Sequence, residues 1–283
     1  MKKLFFILCF LPLITSAQNF FLSGRLGTAN YQGDLKTSSF SFAQMRLLGS
    51  VGGLYDFSEH FTARSYLTFT SLHADDKHGE PGRQHRNLNF TTPIFDWELT
   101  GQYNLFSLNE RQWTPYAFAG VGLFHFNPYT FDNIGEKYFL KPLSTEGEGF
   151  IPGVKNYKRT QFSIPFGIGA TYALNEDMRV GIELSYRKTF TDYIDDVSTV
   201  YVDENILLKD RGPKAVELAY RGDDVHRGPY PAAGAQRGDS DHKDDYYYIA
   251  ATYTIRCFFD KTKRSLRFLN KNIKVTCPTT IHY

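Results

Sequence analysis

Apolar and polar residues alternate with a period of two along much of this chain. In 61–71, FTARSYLTFTS, Phe61, Ala63, Leu67 and Phe69 share one face, and Thr62, Arg64, Tyr66, Thr68 and Thr70 share the other. In 94–105, Phe95, Trp97, Leu99, Tyr103 and Leu105 oppose Asp96, Glu98, Thr100, Gln102 and Asn104. In 161–174, Phe162, Ile164, Phe166, Ile168, Ala170, Tyr172 and Leu174 alternate with small residues. In 178–191, Met178, Val180, Ile182, Leu184, Tyr186 and Phe190 alternate with Arg179, Glu183, Ser185, Arg187, Thr189 and Thr191. A two-residue period is the mark of a strand whose faces meet different surroundings. Weaker segments at 20–31, 44–56, 115–127 and 246–258 fill the gaps; 44–56 and 115–127 are Gly-rich and ambiguous in register.

Those segments make eight strands of roughly 11–14 residues, against about five or six in an ordinary soluble sheet. A tilted strand crosses a bilayer in about 9–11 residues. The connections sort by length. The first, third, fifth and seventh, at 32–43, 74–90, 128–160 and 192–245, are long; those at 57–60, 106–114 and 175–177 are short. Long extracellular loops, short periplasmic turns and an even strand count are the layout of an outer-membrane barrel. The pattern therefore predicts an all-β fold: an eight-stranded antiparallel transmembrane β-barrel.

The pair Asp96 and Glu98, set among Phe95, Trp97 and Leu99, raises the question of a catalytic dyad. The barrel register answers it differently. The apolar face meets lipid and the acids point into the lumen, because charge on the lipid face costs about 2–4 kcal/mol for Arg at the midplane, and less for acids. An eight-stranded lumen is just filled by side chains. Arg64, Asp96, Glu98, Arg179, Glu183 and Arg187 are thus expected to form a paired interior network, since an unpaired buried charge is costly.

Composition agrees with a two-faced sheet. Aromatics make up 16% of the chain, with 25 Phe and 19 Tyr, yet the mean hydropathy is −0.38. A net charge of +2 argues against a general nucleic-acid binder. The opening MKKLFFILCFLPLITSAQNF has a basic start, an apolar run over Leu4–Ile14 and the small residues Thr15-Ser16-Ala17. It reads as a signal peptide over 1–17, with Cys9 removed along with it. The barrel then occupies 18–259, and 260–283 is a basic periplasmic tail carrying Lys261, Lys263, Arg264, Arg267, Lys271 and Lys274 against Asp260. That tail is either a solvated end or a docking arm for a periplasmic partner or an acidic headgroup. Cys257 and Cys277 would both be periplasmic, where a disulfide can form; two free thiols are the alternative.

Other chemistry is sparse. The eight histidines form no HExxH or other metal-ligand spacing, so neither a metal nor a cofactor is expected. There is no GxSxG elbow. EGEGF at 146–150 and GVGLF at 120–124 lack the strand–helix context and following Lys-Ser/Thr of a phosphate loop. His125, near a strand top, is the one pointer to a lipid-modifying enzyme. The last long loop has room for a short helix interrupted near Gly212-Pro213, and its 223–245 stretch reads as a flexible charged tip.

Six segments resemble the PorG-like outer-membrane β-barrel family of the Bacteroidetes type IX secretion system. They are NYQGDL at 30–35, RNLNFTTPIFDWELTGQYNLF at 86–106, TPYAFAGVGLFHFNP at 114–128, LKPLSTEGEG at 140–149, TQFSIPFGIGATYAL at 160–174 and SYRKTFTDYIDDVS at 185–198. The resemblance implies a non-enzymatic accessory barrel that associates with a periplasmic ring formed by a lipoprotein and its partner, helping to hold it at the outer membrane. It brings no catalytic residues. A stand-alone barrel with an envelope-stabilising or surface-binding role is the alternative.

Overall fold

The alternating segments do form strands, and their hydrogen bonds close on themselves. A computed structural model describes residues 19–35, 44–78, 84–225 and 228–257. The strands are β1 (Phe20–Gln32), β2 (Arg46–Asp56), β3 (Phe61–Asp75), β4 (Asn89–Asn104), β5 (Trp113–Phe126), β6 (Tyr129–Phe131), β7 (Lys137–Phe139), β8 (Thr160–Ala173), β9 (Met178–Thr189) and β10 (Asp245–Arg256). The sheet runs β3-β2-β1-β10-β9-β8-β5-β4, and pairing of β3 with β4 closes it into an eight-stranded antiparallel barrel. Closure leaves the barrel wall no unpaired edge. The short hairpin β6–β7 continues from β4 through Thr91 opposite Tyr129.

Side chains sort by register around the wall. In β4, Phe95, Trp97, Leu99 and Tyr103 are 42–47% exposed, while Asp96 and Glu98 between them are 1% and 0% exposed. Outward Leu26, Val51, Phe69, Val121, Phe162, Ile168, Ile182 and Ile249 continue the apolar face around the barrel. Water does not stabilise so extended an apolar surface; hydrocarbon does. The Gly-rich strands resolve the same way. Leu47 and Val51 point out while Leu48 and Ser50 point in, and Trp113 and Val121 point out while Tyr116, Phe118 and Phe124 point in. Gly27 and Gly120 mark close strand contact: a Cβ on Gly120 would lie 2.1 Å from the Leu99 carbonyl oxygen. Among the described residues no helix is long and apolar enough to cross a membrane.

The connections fall at two ends. Turns at 57–60, 105–112 and 174–177 share one end with Phe20 and Cys257, whose backbone N–H donates to the Phe20 carbonyl at 3.0 Å. The long loops gather at the other end over a second core that includes Leu35, Leu72, Leu88, Phe90, Phe126, Ile194, Val197 and Leu218. This cap changes two expectations. The loop expected at 74–90 is shorter, because β3 and β4 remain paired as far as Asp75 opposite Asn89. The stretch 223–245, expected to be a flexible tip, instead places Arg237 and Asp244 at 2% and 0% exposure, because buried acids and carbonyls take up their charges and donors. The expected interrupted helix is present as α1 (Glu204–Arg211) and α2 (Pro213–Ala219). Asp203 caps α1 by accepting from the N–H groups of Asn205 and Ile206, and Gly212, at φ 85°, breaks the path before Pro213. The expected signal segment 1–17 and the tail residues Lys261, Lys263, Arg264, Arg267, Lys271, Lys274 and Cys277 lie outside the described residues.

Candidate functional site

Two buried polar assemblies stand out, one in the lumen and one in the cap. In the lumen, strand register aims Arg25 from β1, Arg64 from β3, Asp96 and Glu98 from β4, and Glu183 and Arg187 from β9 at the barrel axis. Every one of these side chains is 0–1% exposed. Arg25 Nη2 lies 2.8 Å from Glu98 Oε1 and 3.3 Å from Glu183 Oε1. Arg64 Nη2 is 2.9 Å from Glu183 Oε2, and Arg187 Nε is 2.9 Å from Asp96 Oδ2 while Nη2 also donates to Glu98. Three positive and three negative charges cancel, which is what burial demands.

Aromatic rings complete the plug. Arg25 stacks 3.3 Å above the Tyr66 ring and Arg64 4.1 Å above Phe118. The Tyr248 hydroxyl accepts from Arg25 at 2.6 Å and from Arg187 at 2.9 Å, and the Tyr116 hydroxyl donates to Glu183 at 2.8 Å. Beside this cluster remains a cavity of about 20 Å³ lined by Arg64, Gln102, Asn104 and Arg179 among others. That is room for about one water molecule.

Five of the six residues expected in this network meet here. Arg179 does not. It sits nearer the turn end, stacked 4.0 Å from the Phe21 ring centroid and paired with Asp56 at 2.9 Å, where both side chains are 15–19% exposed. Its place is taken by Arg25. The signal for Arg25 was present in β1: Leu22 and Leu26 share its outward face, which turns Arg25 inward. The tyrosines that cap the guanidinium groups carried no such signal, because an aromatic residue is at home on either face of a membrane barrel.

The cap joins segments far apart in sequence. Tyr31 from NYQGDL lies 2.7 Å from Asp195 Oδ2 and 2.5 Å from Asp244 Oδ1. The hydroxyl has one hydrogen to give, so one of those contacts needs a proton from a carboxyl group. Burial pushes both Asp195 and Asp244 above the usual carboxylate range, helped by repulsion from Asp244 on the first and from Asp192 on the second. Glu146 from PLSTEGEG accepts from the N–H groups of Ser198 and Thr199 and from Arg237 at 2.8 Å. Asp196 accepts from Thr145 at 2.8 Å and from Tyr157 at 2.7 Å, and burial raises it to about 6. Burial also raises Asp192 to about 7, and burial with repulsion from Asp196 and Glu146 raises Glu148 to about 8. Arg86 ties this layer to the barrel mouth by bonding Asp76 at 2.8 Å and the Asp34 carbonyl at 3.2 Å.

His125 points outward at the top of β5, its Nδ1 2.9 Å from Thr160 Oγ1. Among the described residues no group of three or more His, Cys, Asp or Glu side chains is placed to hold a metal ion.

A family model described as a domain of unknown function, DUF6089, matches residues 1–206. No curated protein matches the chain. Among solved structures, the chain is similar to Neisserial surface protein A at 9% identity and a TM-score of 0.42, covering 84% of this chain and 97% of that one. It is similar to the outer membrane protein OprG from Pseudomonas aeruginosa at 11% identity and a TM-score of 0.43, covering 84% and 96%. It is also similar to Ail, the attachment invasion locus protein of Yersinia pestis, at 8% identity and a TM-score of 0.38, covering 83% and 97%.

Proposed function

The chain belongs to the DUF6089 family, and from that premise we propose that it is a non-enzymatic outer-membrane barrel that anchors or scaffolds a type IX protein-secretion complex. The observation that carries this reading is the filled lumen. Six mutually paired charges occupy it and the cavity beside them holds about 20 Å³, a filling that supports a role without a pore or a buried substrate. What remains for function is the outer apolar belt, which holds the protein in lipid, and the two ends. In this reading the signal segment is removed on export, both termini and the short turns are periplasmic, and the cap faces outward.

The partners proposed are the outer-membrane lipid around the belt and the periplasmic ring lipoprotein with its own partner, reached through the turns and the basic tail. The resemblance supports this, and the structure adds that three of the resembling segments, at 30–35, 140–149 and 185–198, assemble one cap. The test is purification of the tagged protein from native envelopes in mild detergent. Co-purification of a ring lipoprotein in stoichiometric amount supports the scaffold role; recovery of the barrel alone, under conditions that keep other envelope complexes intact, refutes it. A stand-alone surface-binding role is the second reading, favoured by a cap held by buried ion pairs. It predicts that cells lacking the barrel lose surface binding while secretion is intact.

A further inference from the structure

At the side of the cap, Lys141, Arg159 and Arg211 line an open concavity of about 460 Å³, together with Pro142, Ser144 and Asn156. No carboxylate lines it. Each cation is held by something other than a counter-charge. Lys141 Nζ lies 5.2 Å from the centroid of the Tyr157 ring, which is itself stacked on Phe126 and Tyr193 and anchored through its hydroxyl to Asp196. Arg159 donates to Asn127 Oδ1 at 3.2 Å, and Arg211 lies 4.8 Å over Phe150 at the end of α1. None of the three forms an ion pair with a described residue, in a cap otherwise rich in acids. Partial burial and the neighbouring Arg159 push the Lys141 ammonium below its usual range, as expected of like charges gathered without a counter-ion.

We propose that this concavity is a binding site for an anionic group of the phosphate class. Two guanidinium groups and an ammonium bring charge-assisted donors to one concavity, a donor set that favours an oxyanion. Ser144 and Asn156 are the neutral polar residues of the lining.

The height of Arg159 follows from the strand it precedes. Along β8 from outward Tyr172 to outward Phe162 the strand climbs about 25 Å, at ~3.4 Å per residue and a tilt near ~40°. That is the height of the apolar band of an outer-membrane barrel. Arg159 directly precedes β8, beyond Phe162, so it stands just outside the band, at headgroup level. The phosphate could therefore belong to an outer-leaflet lipid headgroup or to a soluble phosphorylated ligand. The lipid source rests on the outer-membrane reading proposed above; the soluble source does not.

The test uses the refolded full chain and the triple variant Lys141→Gln/Arg159→Gln/Arg211→Gln, with Lys209→Gln as a charge control outside the concavity. Pyrophosphate is titrated calorimetrically in detergent. Separately, nanodiscs of phosphatidylcholine mixed with phosphatidylglycerol are stripped, and retained lipid is counted by native mass spectrometry. Pyrophosphate binding weakened at least about tenfold in the triple variant and unchanged in the control supports the soluble source. Selective retention of phosphatidylglycerol, lost in the triple variant alone, supports the headgroup source. Equal behaviour of wild type and triple variant in both assays overturns the proposal. Should the triple variant fail the folded-band shift on gels, the single Arg211→Gln decides in its place. Failure of the wild type to insert would count against the membrane reading while leaving the pyrophosphate result readable.

Discussion

Removing one charge from the lumen cluster should unbalance the whole plug. Glu98 accepts from Arg25 at 2.8 Å and from Arg187, and lies 3.7 Å from Arg64. Glu98→Gln keeps the volume but leaves three guanidinium groups facing Asp96 and Glu183. Breaking a buried pair by deleting one partner costs about 3–5 kcal/mol. Asp96 still holds Arg187, and Glu183 still reaches Arg25 and Arg64, so the lower end, about 3 kcal/mol, is expected. The rim pair Arg179–Asp56 is part-exposed, and Asp56→Asn should cost no more than about 1 kcal/mol. Urea titration of the barrel folded into lipid vesicles reads both, followed by the emission of lipid-facing Trp97 and Trp113. The double variant Arg25→Gln/Glu98→Gln restores two charges against two and should recover part of the loss. A Glu98→Gln cost within about 1 kcal/mol of wild type would refute the argument, because it would mean that the lumen is wet enough to screen the charge.

The cap carries a pH dependence of definite sign. Glu148, Asp192 and Asp196 are raised to about 8, 7 and 6; such groups stabilise the cap fully below the unfolded carboxylate range near ~4 and lose that contribution as pH rises through their folded values. With the intrinsic base-catalysed rise of amide exchange divided out, protection factors over 141–157 and 192–245 should fall between pH 5 and pH 9 while those of the strands hold, and equal protection factors at both would contradict the buried-acid account. Gly120→Ala should block folding or cost several kcal/mol, since its Cβ would sit 2.1 Å from the Leu99 carbonyl, whereas Gly101→Ala, with nothing within 4 Å, should be near neutral in the same urea titration. Leu99→Arg should cost about 2–4 kcal/mol in vesicles, and a neutral result would place that face away from lipid.

Local pattern determined most of the wall, leaving open only the register of the two Gly-rich strands and how far β3 and β4 stay paired. A strand buried differently on its two faces must alternate, so Phe95, Trp97 and Leu99 facing out oblige Asp96 and Glu98 to face in, and the lengths of the connections sorted the two ends. The same logic applied along one strand at a time reached Arg64, Glu183 and Arg187. It could not say which inward charges lie at the same depth. Depth depends on the stagger between strands, a property of the closed sheet, and that is why Arg25 joins the cluster while Arg179 stands lower with Asp56. The cap lay further beyond the sequence. Residues 223–245 are polar and rich in glycine, and polarity in a loop usually means solvent. Here Arg237 and Asp244 are buried because Glu146, Asp196 and Tyr31, remote in the chain, supply their partners. Alternation is written residue by residue; the pairing of buried charges exists only once the barrel has closed and its loops have folded over the mouth.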